Sequence, residues 1–203
     1  MQTRISRAER TAANRAALLD AALTVFLRDG YHGTTVDAIA REAGLTIGAL
    51  YSRFEGKADV YLALLEARIE ERAAQFSDVP TAADDDDIPR EFARRWAELM
   101  RAETDWTLLA IEFRVHAARD PELGRRYAAL HQRALDGLAD NIAASLPADR
   151  EYRREDLREL ARSALALGVG AVLARAAEGD EFTDELHAEL SIAISDRLLN
   201  GGI

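Results

Sequence analysis

The stretch Thr34–Lys57, TTVDAIAREAGLTIGALYSRFEGK, decides the fold. Val36, Ile39 and Ala43 recur three and four residues apart and make one apolar face of a first helix, with Ala40 small enough for a second helix to cross closely. Gly44 stands just past the last turn, where a glycine takes the left-handed conformation that closes a helix sharply, and Leu45 plugs the corner behind it. Thr46 caps the next helix, predicted over Ile47 to Phe54, whose Leu50 and Phe54 turn inward at a four-residue spacing. Ile47, Gly48, Ser52 and Arg53 remain outside. Two short helices joined through a glycine corner make a helix-turn-helix, and the outer face of the second is the candidate surface for reading a duplex groove.

Several residues of this stretch admit two uses. Thr35 is an N-cap for its helix, and the same hydroxyl is free to meet a phosphate; the two are compatible. Gly48 inside a helix costs roughly 1 kcal/mol against alanine, a cost offset where a helix must approach a groove closely. Tyr51 is either core or a partly exposed ring with its hydroxyl on a phosphate, and Leu50 and Phe54 already fill the inward positions. Lys57 is the only lysine among 26 basic residues. It is incidental to an arginine-preferring composition, or a point charge aimed at the DNA backbone from the start of the next helix.

At these positions the chain resembles the tetracycline-repressor (TetR) family of bacterial transcriptional regulators. The family pattern is a Gly-Tyr turn followed by T-T-V/I-x-x-I-A-x-x-A-G-V/L-S/T-x-G-x-L-Y-x-x-F-x-x-K. Here it is carried by Gly30, Tyr31, Thr34, Thr35, Val36, Ile39, Ala40, Ala43, Gly44, Leu45, Thr46, Gly48, Leu50, Tyr51, Phe54 and Lys57. The resemblance covers the first quarter to third of the chain. It implies phosphate contacts from Thr35, Thr46, Tyr51 and Lys57, and base contacts from among Ile47, Gly48, Ala49, Ser52 and Arg53. Two positions depart from the commonest pattern: Ile47, where many members carry a polar or basic residue, and Arg53, where histidine or tyrosine is frequent.

Composition permits this reading. A chain of 203 residues, 48% apolar and 31% charged, can bury a sizeable core as one or two domains. There is no cysteine, so no disulfide or thiolate metal site forms, consistent with a reducing compartment. The start, MQTRISRAERTAANR, lacks the apolar run of a secretory signal, and Leu165 to Ala174 is short of the roughly 20 residues of a membrane span. A cytoplasmic protein without a membrane partner is expected. The net charge of -10 divides unevenly, +2 over residues 1–57 and -12 over 58–203. Arg4, Arg7, Arg10 and Arg15 crowd the start, where they either lie along phosphate or form a solvated tail, while the acidic remainder is repelled from DNA and orients docking.

Beyond the reader the punctuation predicts helices and no strand, an all-α fold. A first helix spans about Arg10 to Asp29, with Leu18, Leu19, Ala22, Val25 and Phe26 as its apolar face. Others follow over Lys57 to Phe76, Arg90 to Glu103, Asp105 to Ala118, Pro121 to Leu146 and Arg153 to Ala177, with a last one after Asp180. Ser77 to Pro89 reads as an acidic loop whose four aspartates lack the alternating ligands and turning glycine of a calcium site. Trp96, Met100, Trp106, Phe113, His116, Tyr127 and His131 concentrate in the middle helices, where each alone is core; as a group, and with the family resemblance, they suggest an apolar effector pocket. Glu112 is a polar anchor there or the solvated side of its helix. In the last two helices Leu157, Ala161, Leu165, Val169 and Leu173, then Leu186, Leu190, Ile194 and Leu198, form stripes, with Ala164, Gly168 and Ala171 permitting close helix approach. A stripe does not say whether its partner is its own chain; the resemblance implies a homodimer formed through these helices.

No cysteine nucleophile, glycine-rich phosphate loop, G-x-S-x-G elbow or H-E-x-x-H pair is present, and neither a cofactor nor a metal is expected. The expectation is therefore a helix-turn-helix domain over residues 1–57 and a helical ligand-binding and dimerisation domain over 58–203. Its partners would be a palindromic double-stranded operator, a small-molecule effector and a second copy. The alternative is a helical sensor or scaffold that keeps the reader fold without specific DNA binding.

Overall fold

A computed structural model describes residues 6–76, 88–146, 151–179 and 183–199, and among them the ordered elements are helices. The first is α1 (Arg7–Gly33), begun by a capping box in which the Ser6 hydroxyl accepts the Glu9 N–H and the Glu9 carboxylate accepts the Ser6 N–H. That Ser-x-x-Glu signature starts the helix at Arg7, three residues ahead of the expected Arg10. The helical path breaks at Gly30, with φ 71°, before Thr34 closes the element. Then come α2 (Val36–Glu42), α3 (Ile47–Tyr51), α4 (Lys57–Phe76), α5 (Ile88–Ala102), α6 (Thr104–Ala117), α7 (Pro121–Ser145), α8 (Arg154–Glu178) and α9 (Asp184–Leu199). The Asp120 carboxylate accepts from the N–H groups of Glu122 and Leu123, so α7 starts at the expected Asp-Pro step. The four-aspartate run and Arg4 lie outside the described residues.

The chain forms two compact units. Unit 1 comprises residues 1–68 and 109–130, and unit 2 comprises 69–108 and 131–203. This spatial division differs from the functional boundary drawn at 57/58: it falls inside α4, α6 and α7, each of which contributes to both units. Unit 1 buries Leu18, Ala22, Val25 and Phe26 of α1 with Ile39, Leu50, Phe54, Val60, Tyr61 and Phe113. Unit 2 buries Trp96, Met100, Leu135, Ile142, Leu157, Leu160, Ala161 and Val172, with α5, α8 and α9 packed together.

The stripe expected along α8 does not stay in the core. Residues four apart advance about 40° around a helix with 3.6 residues per turn, so Leu157 to Leu173 winds through nearly half a revolution. Leu157 and Ala161 are buried, and Leu173 emerges to solvent. The buried side passes instead to Ala164, Gly168, Ala171 and Val172. Gly168 is needed for space, because a Cβ there would lie 2.9 Å from Met100 Cγ. In α9 the stripe likewise splits, with Leu186 and Leu190 each 39% exposed while Ile194 and Leu198 pack on the core and His187 is fully buried. An 18-residue window of α8 reaches a mean hydropathy of 1.4, long and apolar enough by composition for a membrane span, which the shorter run counted in the sequence does not anticipate. Its buried side serves the bundle core with α5 and α9.

Candidate nucleic-acid interface and effector cavity

The interface is built on three capped turns. Thr35 Oγ1 accepts the Ala38 N–H at 3.2 Å and starts α2; Gly44, at φ 66°, reverses the chain, and the Leu45 N–H returns to the Ala40 carbonyl at 2.9 Å. Thr46 Oγ1 then accepts the Ala49 N–H at 3.2 Å and starts α3. Both hydroxyls use a lone pair for the cap and keep their own proton as a donor, so capping and phosphate contact coexist. As a regular helix α3 ends at Tyr51, three residues before the expected Phe54, although the Phe54 N–H still reaches the Leu50 carbonyl at 3.0 Å. Leu50 and Phe54 are buried; Ile47 is 42% and Tyr51 54% exposed, and Gly48 and Ser52 are open to solvent.

Two of the expected contact residues are engaged elsewhere. Arg53 is half-buried, with Nη1 donating to the Ala49 carbonyl at 2.8 Å and to Ser52 Oγ at 2.9 Å, so its guanidinium folds back onto the end of α3. Lys57 Nζ donates to the carbonyls of Tyr31 (2.7 Å), Thr34 (2.9 Å) and His32 (3.3 Å), and stands 4.6 Å from the Tyr31 ring centroid. Burial pulls its pKa below the ordinary lysine value. The ammonium thus gathers the carbonyls left open where α1 breaks, a capping duty that the sequence did not suggest.

From the other side, the Glu112 carboxylate accepts the Tyr31 N–H at 2.8 Å and lies 3.1 Å from the place a Gly30 Cβ would take. Glu112 is neither a pocket anchor nor a solvated residue; it clamps the break. Around it Tyr61 stacks on Phe113 with centroids 3.9 Å apart, Tyr31 meets Phe113 edge-on at 5.0 Å and lies tilted 5.0 Å from His116, and Tyr127 lies 5.9 Å from Phe113. Burial pushes the Tyr31 phenol up to about 12 and raises Tyr61 further, keeping both neutral. Of the seven residues expected to line a pocket, Phe113, His116 and Tyr127 therefore stand in the aromatic core of unit 1. Trp96, Met100, Trp106 and His131 belong to unit 2.

Unit 2 contains a cavity of about 40 Å³, and Trp96 is the expected residue that lines it. The walls come from α5 (Phe92, Ala93), α7 (Ile142, Ser145, Leu146), α8 (Leu160, Ala164, Leu167) and α9 (Ser191, Ile194, Ser195). Sequence reasoning missed these residues because it looked for bulky aromatics, whereas space opens where alanines and serines face leucines and isoleucines.

Residues 18–64 match the family model described as bacterial regulatory proteins, tetR family. The HTH-type transcriptional regulator SrpR of Pseudomonas putida is 48% identical over 54 residues, 27% of this chain and 25% of that relative. The match thus spans a quarter of that relative's length. Likeness over the full fold comes from structures. The regulator FadR of Bacillus subtilis in complex with stearoyl-CoA superposes with a TM-score of 0.62 at 16% identity, over 93% of this chain and 99% of FadR. The multidrug binding protein EbrR complexed with proflavin gives a TM-score of 0.62 at 22% identity, over 89% and 99% of the two chains.

Proposed function

We propose, on the premise that residues 18–64 make this chain a member of the tetR family of bacterial regulatory proteins, that it is a cytoplasmic homodimer regulating transcription. It binds a palindromic duplex site and is released by a small molecule. It works by binding, without catalysis. The observation that carries this reading is the outer face of the helix-turn-helix, where Ile47, Gly48, Tyr51 and Ser52 stand open to solvent beyond the Thr46 cap, and Thr35 and Thr46 each still have a proton to donate. Thr35, Thr46 and Tyr51 meet phosphates and fix the register; Ile47, Gly48, Ala49 and Ser52 face base edges, joined by Arg53 once its guanidinium leaves its own helix. Lys57 acts by holding the end of α1 rather than by touching DNA.

Leu173 on α8 and Leu186 and Leu190 on α9 are exposed on two packed helices, which supports a self-complementary apolar interface between copies. A twofold dimer reads two half-sites related by the same twofold. The effector occupies the unit 2 cavity, by analogy with FadR and EbrR, whose complexes hold stearoyl-CoA and proflavin. A ligand shifts DNA affinity only through its differential affinity for the two states, and a 100-fold difference corresponds to about 2.7 kcal/mol. Because α4, α6 and α7 each contribute to both units, a shift in unit 2 has a covalent route to the reader. The test is capture of genomic fragments by the purified protein. Recovery of fragments sharing a twofold-symmetric sequence is expected, and retention with no shared sequence contradicts the reading.

A further inference from the structure

We propose that the unit 2 cavity is shaped for an uncharged, mainly aliphatic molecule bearing one hydrogen-bonding oxygen, and that the Ser195 hydroxyl meets that oxygen. This deepens the effector half of the function proposed above and rests on it. None of the residues lining the cavity is ionisable. An unpaired carboxylate or ammonium placed among Phe92, Ile142, Leu160 and Ile194 would lose its hydration without compensation, and such a group neutralises rather than enter as an ion.

The polar groups on the wall narrow the chemistry further. Trp96 Nε1 donates to the Ala164 carbonyl at 3.2 Å, Ser145 Oγ to the Ile142 carbonyl at 2.8 Å and Ser191 Oγ to the His187 carbonyl at 2.9 Å. These three donors are committed to backbone. Ser195, one turn beyond Ser191 on the same wall, has no hydrogen-bond partner among the described residues, leaving a donor and acceptor for one ligand oxygen. At about 40 Å³ the space matches roughly three waters at about 10–15 Å³ each, so as it stands it takes only the first atoms of a slender chain, and the rest of the chain enters as the walls part, by less than a fused ring system would require. The α9 wall presents Ser191, Ile194 and Ser195 to the cavity while Leu186 and Leu190 face solvent, so parting the walls displaces the helix proposed to join two copies.

The test compares one chain length with three head groups on the full-length protein without DNA: 1-octanol, octanoate and octylammonium, by calorimetry and thermal shift. Octanol should bind with an affinity that is flat between pH 6 and pH 8. At pH 8 octanoate and octylammonium should bind at least about 100-fold more weakly, and octanoate should gain about tenfold per pH unit on going down to pH 6, as its neutral acid form grows. Ser195→Ala should weaken octanol about fivefold. Ala164→Leu, which adds bulk at the wall, should weaken it more. No octanol binding, equal binding of octanoate at pH 8, or full octanol affinity in either variant would overturn the proposal. A protein that binds octanol as expected but selects no duplex sequence would instead overturn the regulator reading.

Discussion

The two units close their cores in different ways. Unit 1 fills its centre with interlocked rings, Phe26, Tyr31, Tyr61 and Phe113, and fixes the backbone between Gly30 and Thr34 with Lys57 on its carbonyls and Glu112 on an N–H. Unit 2 is closed mainly by leucines, alanines and a flexible Met100 around the ring system of Trp96, and leaves a cavity. Rings of low rotamer entropy, beside a backbone held by charge-assisted hydrogen bonds, suit the proposed DNA-reading surface, which must present the same shape to every duplex. Aliphatic packing with residual space suits the part proposed to yield to a ligand. Ring-on-ring packing thus holds the helix-turn-helix unit, whereas the unit 2 cavity is lined mostly by aliphatic and small residues beside Phe92 and Trp96.

The comparison breaks first at the surface of unit 2. Leu186→Asp together with Leu190→Asp places two charges on a face that is open in the single chain, so the protomer should stay folded while light scattering reports monomers. Operator affinity should fall on the order of 100-fold, since each half-site is then bound alone. An unchanged dimer would move the interface off α9. Ile194 is unsuited to this test because it lines the cavity.

In unit 1, Lys57→Met removes three charge-assisted hydrogen bonds at a partly exposed site and should cost about 2 kcal/mol in denaturant unfolding. The salt dependence of DNA binding separates the two roles of this lysine. A clamp leaves the slope of log K against log salt unchanged, whereas a lysine that neutralises a phosphate would, on removal from both copies of a dimer, make that slope shallower by about 1.8, about 0.9 for each.

Gly30 and Gly44 give a finer contrast. Both have positive φ, but a Cβ on Gly44 meets nothing within 4 Å, while one on Gly30 meets the Glu112 carboxylate at 3.1 Å. Gly44→Ala should cost about 1 kcal/mol from backbone strain, and Gly30→Ala more. At φ 71° and ψ 172° the Gly30 backbone itself disfavours alanine, so repeating Gly30→Ala in a Glu112→Ala background should remove only the carboxylate's share of the excess; an unchanged excess would mean that the carboxylate does not press on the break.

The smallest effect concerns pH. Burial first, then the nearby Arg175 charge, pull the His187 pKa below its ordinary 6.5, against the opposing charge of Asp184, which also pairs with Arg101 of α5. The folded state therefore binds fewer protons than the unfolded state just below pH 6.5, so this residue's contribution is complete above that pH and declines as pH falls. Thermal unfolding of His187→Gln should lose less stability than the parent between pH 7 and pH 5.5, and parallel curves would exclude His187 as the cause.

Local signals account for what was legible. Caps at Thr35 and Thr46, the Gly44 corner and the Asp120-Pro121 start all act within a few residues, and the structure places each as the sequence implies. What the sequence hid depends on distance along the chain. Glu112 reaches Tyr31 across 81 residues and Lys57 reaches it across 26, and nothing in the spacing of either names its partner. The α8 stripe could not say where each of its residues packs, because a four-residue period drifts around the helix and carries it from buried Leu157 to exposed Leu173. The cavity was illegible because it arises from what four helices fail to fill, which no single segment encodes.

The central claim is that the outer face of α3 reads bases while the clamped end of α1 positions it. It is tested most directly by measuring binding of the protein and of Ile47→Ala across a library of randomised duplexes at fixed salt. The account predicts a twofold-symmetric preference in the parent, and in the variant a relaxed choice at one pair of mirrored positions, by about 1 kcal/mol where a thymine methyl meets the isoleucine. Identical preferences in the two proteins, or binding by the parent with no sequence preference, would contradict it.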